Sequence, residues 1–260
     1  MLRPLALVGL LTCTAGALAG PAKRPITHED LWSFKRLATP ALSPDGRQAV
    51  VVVTEPAYDP AAQRADLWLV ATDGRSAPRQ ITFSKEAEAT PVFSPDGRYI
   101  AFSAQRGTDA AAQIYVLDLA GGEAQRATAI STGARNPRFS PDGRQLLFTS
   151  AVYPGARDDA DNQRIATERA ARKYNARVYT GFPVRNWDRW LEERQQHLFV
   201  QALDGSPARD LLAGTALVGA PGFGGRMSDS GEDIEAAWAP DGRSVVFAAT
   251  TNRHRAAFDW

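Results

Sequence analysis

Short apolar, β-branched runs recur along the chain, each bounded by Gly, Pro and Asp. Ala49 to Thr54, Tyr99 to Ser103, Leu146 to Thr149 and Val245 to Ala248 are four of them, and runs of that length between turn residues predict strands. Each follows a near copy of one hexapeptide. The copies are Leu42-Ser43-Pro44-Asp45-Gly46-Arg47, Phe93-Ser94-Pro95-Asp96-Gly97-Arg98, Phe139-Ser140-Pro141-Asp142-Gly143-Arg144 and Trp238-Ala239-Pro240-Asp241-Gly242-Arg243. Proline presets φ, aspartate bonds the backbone ahead of it, and glycine takes the positive φ that reverses the chain. Each copy therefore predicts a hairpin turn between two strands.

A second element recurs downstream of the first three turns. It reads Asp66-Leu67-Trp68-Leu69-Val70 then Asp73-Gly74, Gln113-Ile114-Tyr115-Val116 then Gly121-Gly122, and His197-Leu198-Phe199-Val200 then Asp204-Gly205. This predicts a third strand ending in a tight turn, and a fourth strand follows in Arg79-Gln80-Ile81-Thr82 and in Ala124 to Thr128. Four antiparallel strands in about 45 residues is the size of a β-propeller blade. The expected fold is all-β, a propeller of four-stranded antiparallel blades with about three and a half blades present. Blade 1 is expected at about 41–84, blade 2 at about 90–131, blade 3 at about 135–213 and the start of blade 4 at about 234–260.

The spacing of the turn prolines is uneven. Pro44 to Pro95 is 51 residues and Pro95 to Pro141 is 46, but Pro141 to Pro240 is 99. From turn proline to third-strand aliphatic the distances are 23 (Pro44 to Leu67), 19 (Pro95 to Ile114) and 57 (Pro141 to Leu198). Blade 3 thus carries roughly 36 extra residues between about 151 and 196, a length that in loops is usually functional. Within them Asp159 to Tyr174 predicts a charged helix with a thin apolar stripe, lying on the propeller face. With half a blade at the C-terminal side, both sheet edges are left open, and the chain is expected to be the N-terminal portion of a longer protein.

Two N-terminal stretches do not follow the repeat. Met1 to Gly20 has Arg3, an apolar run from Leu5 to Leu11 and the small triplet Ala17-Leu18-Ala19, which predicts a signal peptide (residues 1–19) cleaved after Ala19. Cys13 admits a lipoprotein reading, against which Thr12 stands where such signals take Gly, Ala or Ser. Residues 20–40 form an N-terminal segment in which Ile26 to Leu37 predicts a short helix, Thr27 capping it and Glu29 and Asp30 in its first turn.

Composition narrows the partners. The 260 residues carry 30 Lys+Arg against 29 Asp+Glu, 44% hydrophobic and 23% charged residues, and one cysteine. No basic field exists of the kind that draws a phosphate backbone, so nucleic acid is not an expected partner. After loss of the signal no cysteine remains, which suits an exported protein held together by packing alone, and no later segment is apolar enough to span a membrane.

The Ser-Pro-Asp-Gly-Arg repeats with their Leu/Ile-aromatic-Val strands resemble the propeller repeats shared by TolB-type periplasmic proteins and the prolyl oligopeptidase family of serine peptidases. Two stretches turn the resemblance toward the peptidases: Glu29-Asp30-Leu31 to Arg36-Leu37, with Pro40 and Ser43-Pro44-Asp45-Gly46 behind it, and Val184-Arg185-Asn186-Trp187-Asp188-Arg189-Trp190 running to His197-Leu198-Phe199-Val200. The latter is similar to the Arg-His-Trp-Asp-x-Trp segment of the dipeptidyl and acylaminoacyl peptidase branch, with Asn186 in place of His. The resemblance implies a propeller whose funnel admits only short peptides, a C-terminal α/β-hydrolase domain carrying a Ser-Asp-His triad, and no cofactor. The alternative is a TolB-like propeller that binds a protein partner.

Catalytic residues are not expected among these 260. No Gly-x-Ser-x-Gly elbow is present; the nearest approach, Ala129-Ile130-Ser131-Thr132-Gly133, reads as an inter-blade loop. His28, His197 and His254 read as structural or solvent-exposed, no nucleophile or orienting carboxylate being placed beside them, and no metal-ligand pattern occurs. Binding chemistry concentrates in the insertion, where Arg185, Trp187, Asp188, Trp190, Glu192 and Glu193 stand with Tyr179 and Phe182. Aromatic rings beside charges can form a peptide-binding rim, a carboxylate taking the substrate's free amine. Equally, Trp187 and Trp190, three apart on a helical turn, can anchor the insertion, with Arg185 and Asp188 as a local ion pair.

Overall fold

The computed structural model describes residues 24–59, 62–174, 176–179, 184–186, 188–220, 222–228 and 231–251. The signal segment 1–19, Trp187, Phe182 and His254 lie outside the described residues. Residues up to Phe34 form one compact unit and Lys35 onward another. In the first, α1 (His28–Ser33) is closed by a capping box: Asp30 N donates to Thr27 Oγ1, and Thr27 N donates to the Asp30 carboxylate. The helix is half as long as the sequence predicts. Phe34 is extended, and Arg36–Leu37 leaves the helical pattern because its backbone finds partners in a strand.

That strand, β1 (Arg36–Leu37), and β2 (Ala41–Leu42) lie end to end along β3 (Gln48–Glu55), which pairs with β4 (Arg64–Ala71), and β4 with β5 (Arg79–Gln80). The second sheet is β6 (Glu88–Phe93), β7 (Tyr99–Ala104), β8 (Gln113–Asp118) and β9 (Gln125–Arg126), in that order. The third opens with β10 (Arg135–Phe139) and β11 (Gln145–Val152). The chain then leaves the sheet through α2 (Asp159–Ala170) and a hairpin of β12 (Arg185–Asn186) and β13 (Arg189–Trp190), and returns as β14 (Gln195–Ala202) and β15 (Arg209–Asp210). Because β11 and β14 pair out to Val152↔Gln195, the excursion runs from Tyr153 to Arg194, inside the 151–196 interval of the repeat spacing. A hairpin of β16 (Arg226–Ser228) and β17 (Gly231–Asp233) precedes β18 (Ala236–Trp238) and β19 (Val245–Phe247), which pair as the opening of a fourth sheet.

The four repeated turns do what the hexapeptide predicts. Leu42↔Ala49, Phe93↔Ile100, Phe139↔Leu146 and Trp238↔Val245 close hairpins of one register. In each of the first three, the serine Oγ donates to the aspartate Oδ1 and accepts from the first strand residue: Ser94 Oγ lies 2.5 Å from Asp96 Oδ1 and 2.8 Å from Tyr99 N. Ser43 and Ser140 repeat the arrangement.

The sheets are apolar on both faces because they stack like blades. Ile100, Phe102 and Ala104 of β7 join Val50, Val52, Leu67 and Leu69 in one cluster, whereas Ala101 joins Leu146, Phe148 and Phe199 in the next. Leu147, Leu198 and Val200 turn to a third cluster with Phe223 and Ile234. This alternation explains why the strands read as continuous hydrophobic runs. The fold is an all-β propeller of four-stranded antiparallel blades, with a partly helical insertion in the third.

The first strand of each of the first three sheets is interrupted midway. β1 and β2 are separated at 38–40, and β6 and β10 shift register between Ala89 and Val92 and between Arg135 and Arg138. Thr90 (φ 51°) and Asn136 (φ 54°) occupy the left-handed region at these breaks, a conformation uncommon for any residue with a side chain and costly for a β-branched one.

Candidate functional site

The two ends of the propeller differ. Thr72 N, Leu119 N and Leu203 N donate to the carbonyls of Arg47, Arg98 and Arg144 at 2.9–3.0 Å, so the short turns joining strands 1–2 and 3–4 sit side by side at one end. The connections joining strands 2–3, and those leading from one sheet to the next, gather at the other end, as Ala134 N donating to Ala112 O (2.7 Å) illustrates. The insertion belongs to this second end.

Corresponding strand positions bury a different polar group in each sheet there. In the first, Thr82 Oγ1 accepts from Leu67 N at 2.8 Å and donates to Glu88. The fully buried Glu88 carboxylate is met by Arg106, which stacks on Phe102 and Tyr115 with its guanidinium 5.1 and 4.9 Å from the ring centres. Burial pushes the Glu88 carboxyl above its usual range, against the opposing pull of Thr82 and Arg106, and burial also raises Asp66, whose Oδ1 has no partner. In the second sheet Thr128 Oγ1 accepts from Ile114 N and donates to Gln113 Oε1, both at 2.8–2.9 Å.

In the third sheet the same place holds His197. Its Nδ1 lies 2.7 Å from Asp210 Oδ2, while Asp210 Oδ1 accepts from Leu212 N and Ala213 N. Chain spacing puts no carboxylate beside this histidine; strand pairing brings one across 13 residues. Among the described residues His197 Nε2 is buried without a partner, and the ring meets Phe223 edge-on, so the pair is an oriented imidazole beside which no described hydroxyl stands to be activated. Ser131 is likewise committed: its N and Oγ donate to Asp159 Oδ1 at 2.9 and 2.6 Å, tying the inter-blade loop to α2. His28 is exposed.

The insertion's aromatic segment is a hairpin rather than a helical turn. Arg185↔Trp190 and Asn186↔Arg189 are cross-strand partners, so Trp190 stands on a strand. The Trp190 ring stacks on Tyr179 (centroids 6.0 Å, 23° between planes) yet stays 56% exposed, and Tyr179 Oη donates to Leu191 O at 3.1 Å. Arg185 and Asp188 are exposed and, among the described residues, form no ion pair with each other. Glu192 meets Arg194 at 3.4 Å, and Glu193 meets Arg169 of α2. The structure thus groups Arg185, Asp188 and Trp190 on one exposed hairpin and turns Glu192 and Glu193 to arginines. α2 ends at Ala170, four residues before the expected Tyr174.

Beneath the first turn of α2 is a cavity of about 440 Å³, walled by Ile130, Phe199, Pro207, Ala208 and Ala213 and edged by charged residues of α2 and β15. Sequence patterning carried no signal for it, since its walls come from three separate stretches. Among the described residues no group of three metal-ligating side chains converges, and no helix is long and apolar enough to cross a membrane.

Comparison with known proteins places this geometry. Dipeptidyl-peptidase 5 of Porphyromonas gingivalis is 28% identical over 241 residues, 92% of this chain and 33% of that protein. Uncharacterized peptidase YuxL of Bacillus subtilis is 31% identical over 134 residues, 51% of this chain and 20% of that protein. An acylaminoacyl peptidase structure from Pyrococcus horikoshii superposes with a TM-score of 0.51 at 17% identity, over 83% of this chain and 28% of that one. The relatives bear the peptidase names that the repeat resemblance implies, and the chain spans a third or less of their lengths. Residues 28–176 match the TolB beta propeller domain model, and the chain belongs to that family.

Proposed function

We propose that these residues form the substrate-gating propeller of a secreted or periplasmic serine exopeptidase that cleaves short peptides. The observation that carries the reading is the similarity to dipeptidyl-peptidase 5, which runs over 241 residues and so continues past the family match at 176, through the rest of the insertion and the strands that follow it. In this reading the stacked Trp190 and Tyr179 form an aromatic rim at the insertion end. Arg185 and Asp188 flank it, and Glu192 and Glu193 exchange their arginine partners for a substrate amine. A hydrolase domain outside these residues supplies the triad, and the funnel excludes folded proteins. The predicted signal at 1–19 supports export.

The test begins with the coding DNA beyond the Trp260 codon. A frame continuing to a Gly-x-Ser-x-Gly elbow, whose product releases dipeptides from short chromogenic peptides but spares folded protein, supports the reading. The 260-residue chain alone is expected to release none. A product with no hydrolase domain that instead retains a protein partner supports the interaction propeller, which the family match equally admits, and overturns the peptidase.

A further inference from the structure

We infer that the cleft between the third and fourth sheets is the seat of a β-strand that follows β19 in this polypeptide, one that sets an aromatic side chain opposite Phe247 and an aspartate beside Arg243. Sheets 2 and 3 supply the precedent. Ile100 and Phe102 of β7 are 0% exposed, and Leu146 and Phe148 of β11 are 1% exposed, because a third strand lies beside each pair. Phe102↔Tyr115 and Phe148↔Phe199 are cross-strand partners, their rings stacked with centroids 6.1 and 5.6 Å apart. The same places on β19 belong to Val245 and Phe247, which stand equally far from their turn glycine. Both are only half-buried.

Backbone, shape and charge all fit a strand. Ser244 O accepts from Ala239 N, and Ala248 N donates to Glu235 O, so the even-numbered residues of β19 bond to β18. The N–H and C=O of Val245 and Phe247 therefore point to the other edge, which has no strand beside it among the described residues. The cleft, of about 310 Å³, is walled by Leu198, Val200 and Leu211 on the third-sheet side and by Trp238, Val245 and Phe247 on the fourth. Leu67 and Leu69 meet Tyr115 in the same way between the first two sheets. Arg209 pairs across the sheet with Val200 and so shares its face; it lines the cleft with Arg243, and no acidic residue does. Neither arginine meets a carboxylate among the described residues. In sheet 2 the arginine at the corresponding place in the turn, Arg98, is met by Asp118 of the third strand at 2.7 and 3.1 Å. A strand patterned like Ile114-Tyr115-Val116-Leu117-Asp118 satisfies the open edge, the apolar walls and the charge together. Polypeptide to supply it is present in the relatives, the match to dipeptidyl-peptidase 5 taking in only 33% of that protein. The inference holds for a peptidase and for an interaction propeller alike.

The probe is a fluorescent peptide copying Ala112–Gly121, titrated by anisotropy into the 260-residue chain and into the protein expressed from the complete coding frame. The 260-residue chain is expected to bind it saturably, and the Tyr115→Ala copy at least tenfold more weakly. The complete protein is expected not to bind it, because its own strand fills the cleft. Arg243→Gln in the chain and Asp118→Asn in the peptide each weaken binding several-fold, and together no more than either alone. The thermal midpoint of Arg243→Gln stays unchanged, since the side chain is exposed. No binding by the 260-residue chain, binding indifferent to Tyr115→Ala, or losses from the two charge variants that simply add overturn the site. Equal binding by the complete protein gives the cleft to a separate peptide, and self-association of the 260-residue chain that the probe reverses gives it to a second copy. Either result overturns the assignment to this polypeptide's own strand.

Discussion

Pro141 Cδ of the third turn lies 3.6 Å from where a Cβ would stand on Gly242 of the fourth. Pro95 approaches Gly143 and Pro44 approaches Gly97 in the same way, at 3.7 and 3.6 Å. The turns are stacked sheet upon sheet, and the fourth follows directly on the third. The 99 residues between Pro141 and Pro240 therefore hold the insertion and no intervening blade.

Gly242 has φ +69°, so a side chain there strains the backbone even though the neighbouring proline leaves room. Gly242→Ala is expected to cost about 1–2 kcal/mol, the usual penalty of the left-handed region, and to lower the thermal midpoint by several degrees. Differential scanning calorimetry checks it; an unchanged or raised midpoint contradicts the strain argument.

The fourth turn also lacks the serine. Ala239 N donates to Ser244 O and Arg243 N to Asp241 Oδ1, both at 2.8–2.9 Å, but no hydroxyl links aspartate to the strand as Ser94 does. Ala239→Ser is expected to add about 0.5–1.5 kcal/mol, the net worth of a hydrogen bond, while Ser94→Ala, at a buried position, costs at least as much. Urea denaturation of the two variants measures both, and an Ala239→Ser that fails to stabilise or a Ser94→Ala that fails to destabilise would refute the equivalence of the four turns.

The strands and turns were legible because their determinants are local. Predicted Tyr99 to Ser103 became Tyr99–Ala104, and Ala49 to Thr54 became Gln48–Glu55. What the sequence concealed depends on distant partners. Arg36 and Leu37 carry a helical pattern but take the edge beside Thr54 and Val53. The spacing up to Trp190 is compatible with a helical turn, and only the pairing with Arg185 decides otherwise. His197 and Asp210 meet because β15 lies beside β14, and the cavity needs three stretches at once. Of the candidate site, chain order picked out the insertion and its exposed tryptophan; it was silent on the arginines that hold Glu192 and Glu193.

The two classes of carboxyl give stability opposite pH trends. Hydrogen bonds from Ser43, Ser94 and Ser140 first, then backbone amides, hold Asp45, Asp96 and Asp142 below the usual 3.8, so their contribution is present above that value and lost as pH falls through the depressed range. Glu88 is raised above 4.5 by burial; its contribution is present below 4.5 and is lost as pH rises through the elevated value. Glu88→Gln removes that loss, so the variant's stability relative to the native chain should rise from pH 4.5 upward, on top of a constant offset from parting with Arg106. Denaturation midpoints taken across pH 4–8 decide it, and a difference that stays flat contradicts a raised Glu88.

α2 is fastened by polar contacts at both ends and little else. Asp159 is bonded to Ser131 near its start, Arg169 meets Glu193 near its end, and only Asn162 of its twelve residues is buried. A helix without an apolar face draws little from packing, and a half-exposed ion pair is worth about 0–1 kcal/mol and weakens with salt. Ser131→Ala and Arg169→Ala should therefore speed amide exchange in α2 several-fold without shifting the exchange of β11 or β14, whose ladder runs unbroken for eight pairs. Raising the salt to about 1 M, where screening reaches within about 3 Å, should mimic Arg169→Ala but not Ser131→Ala, since the serine contact is a short hydrogen bond from a neutral donor. Exchange in α2 that ignores both variants would mean that the helix is held by its own capping and not by the blade.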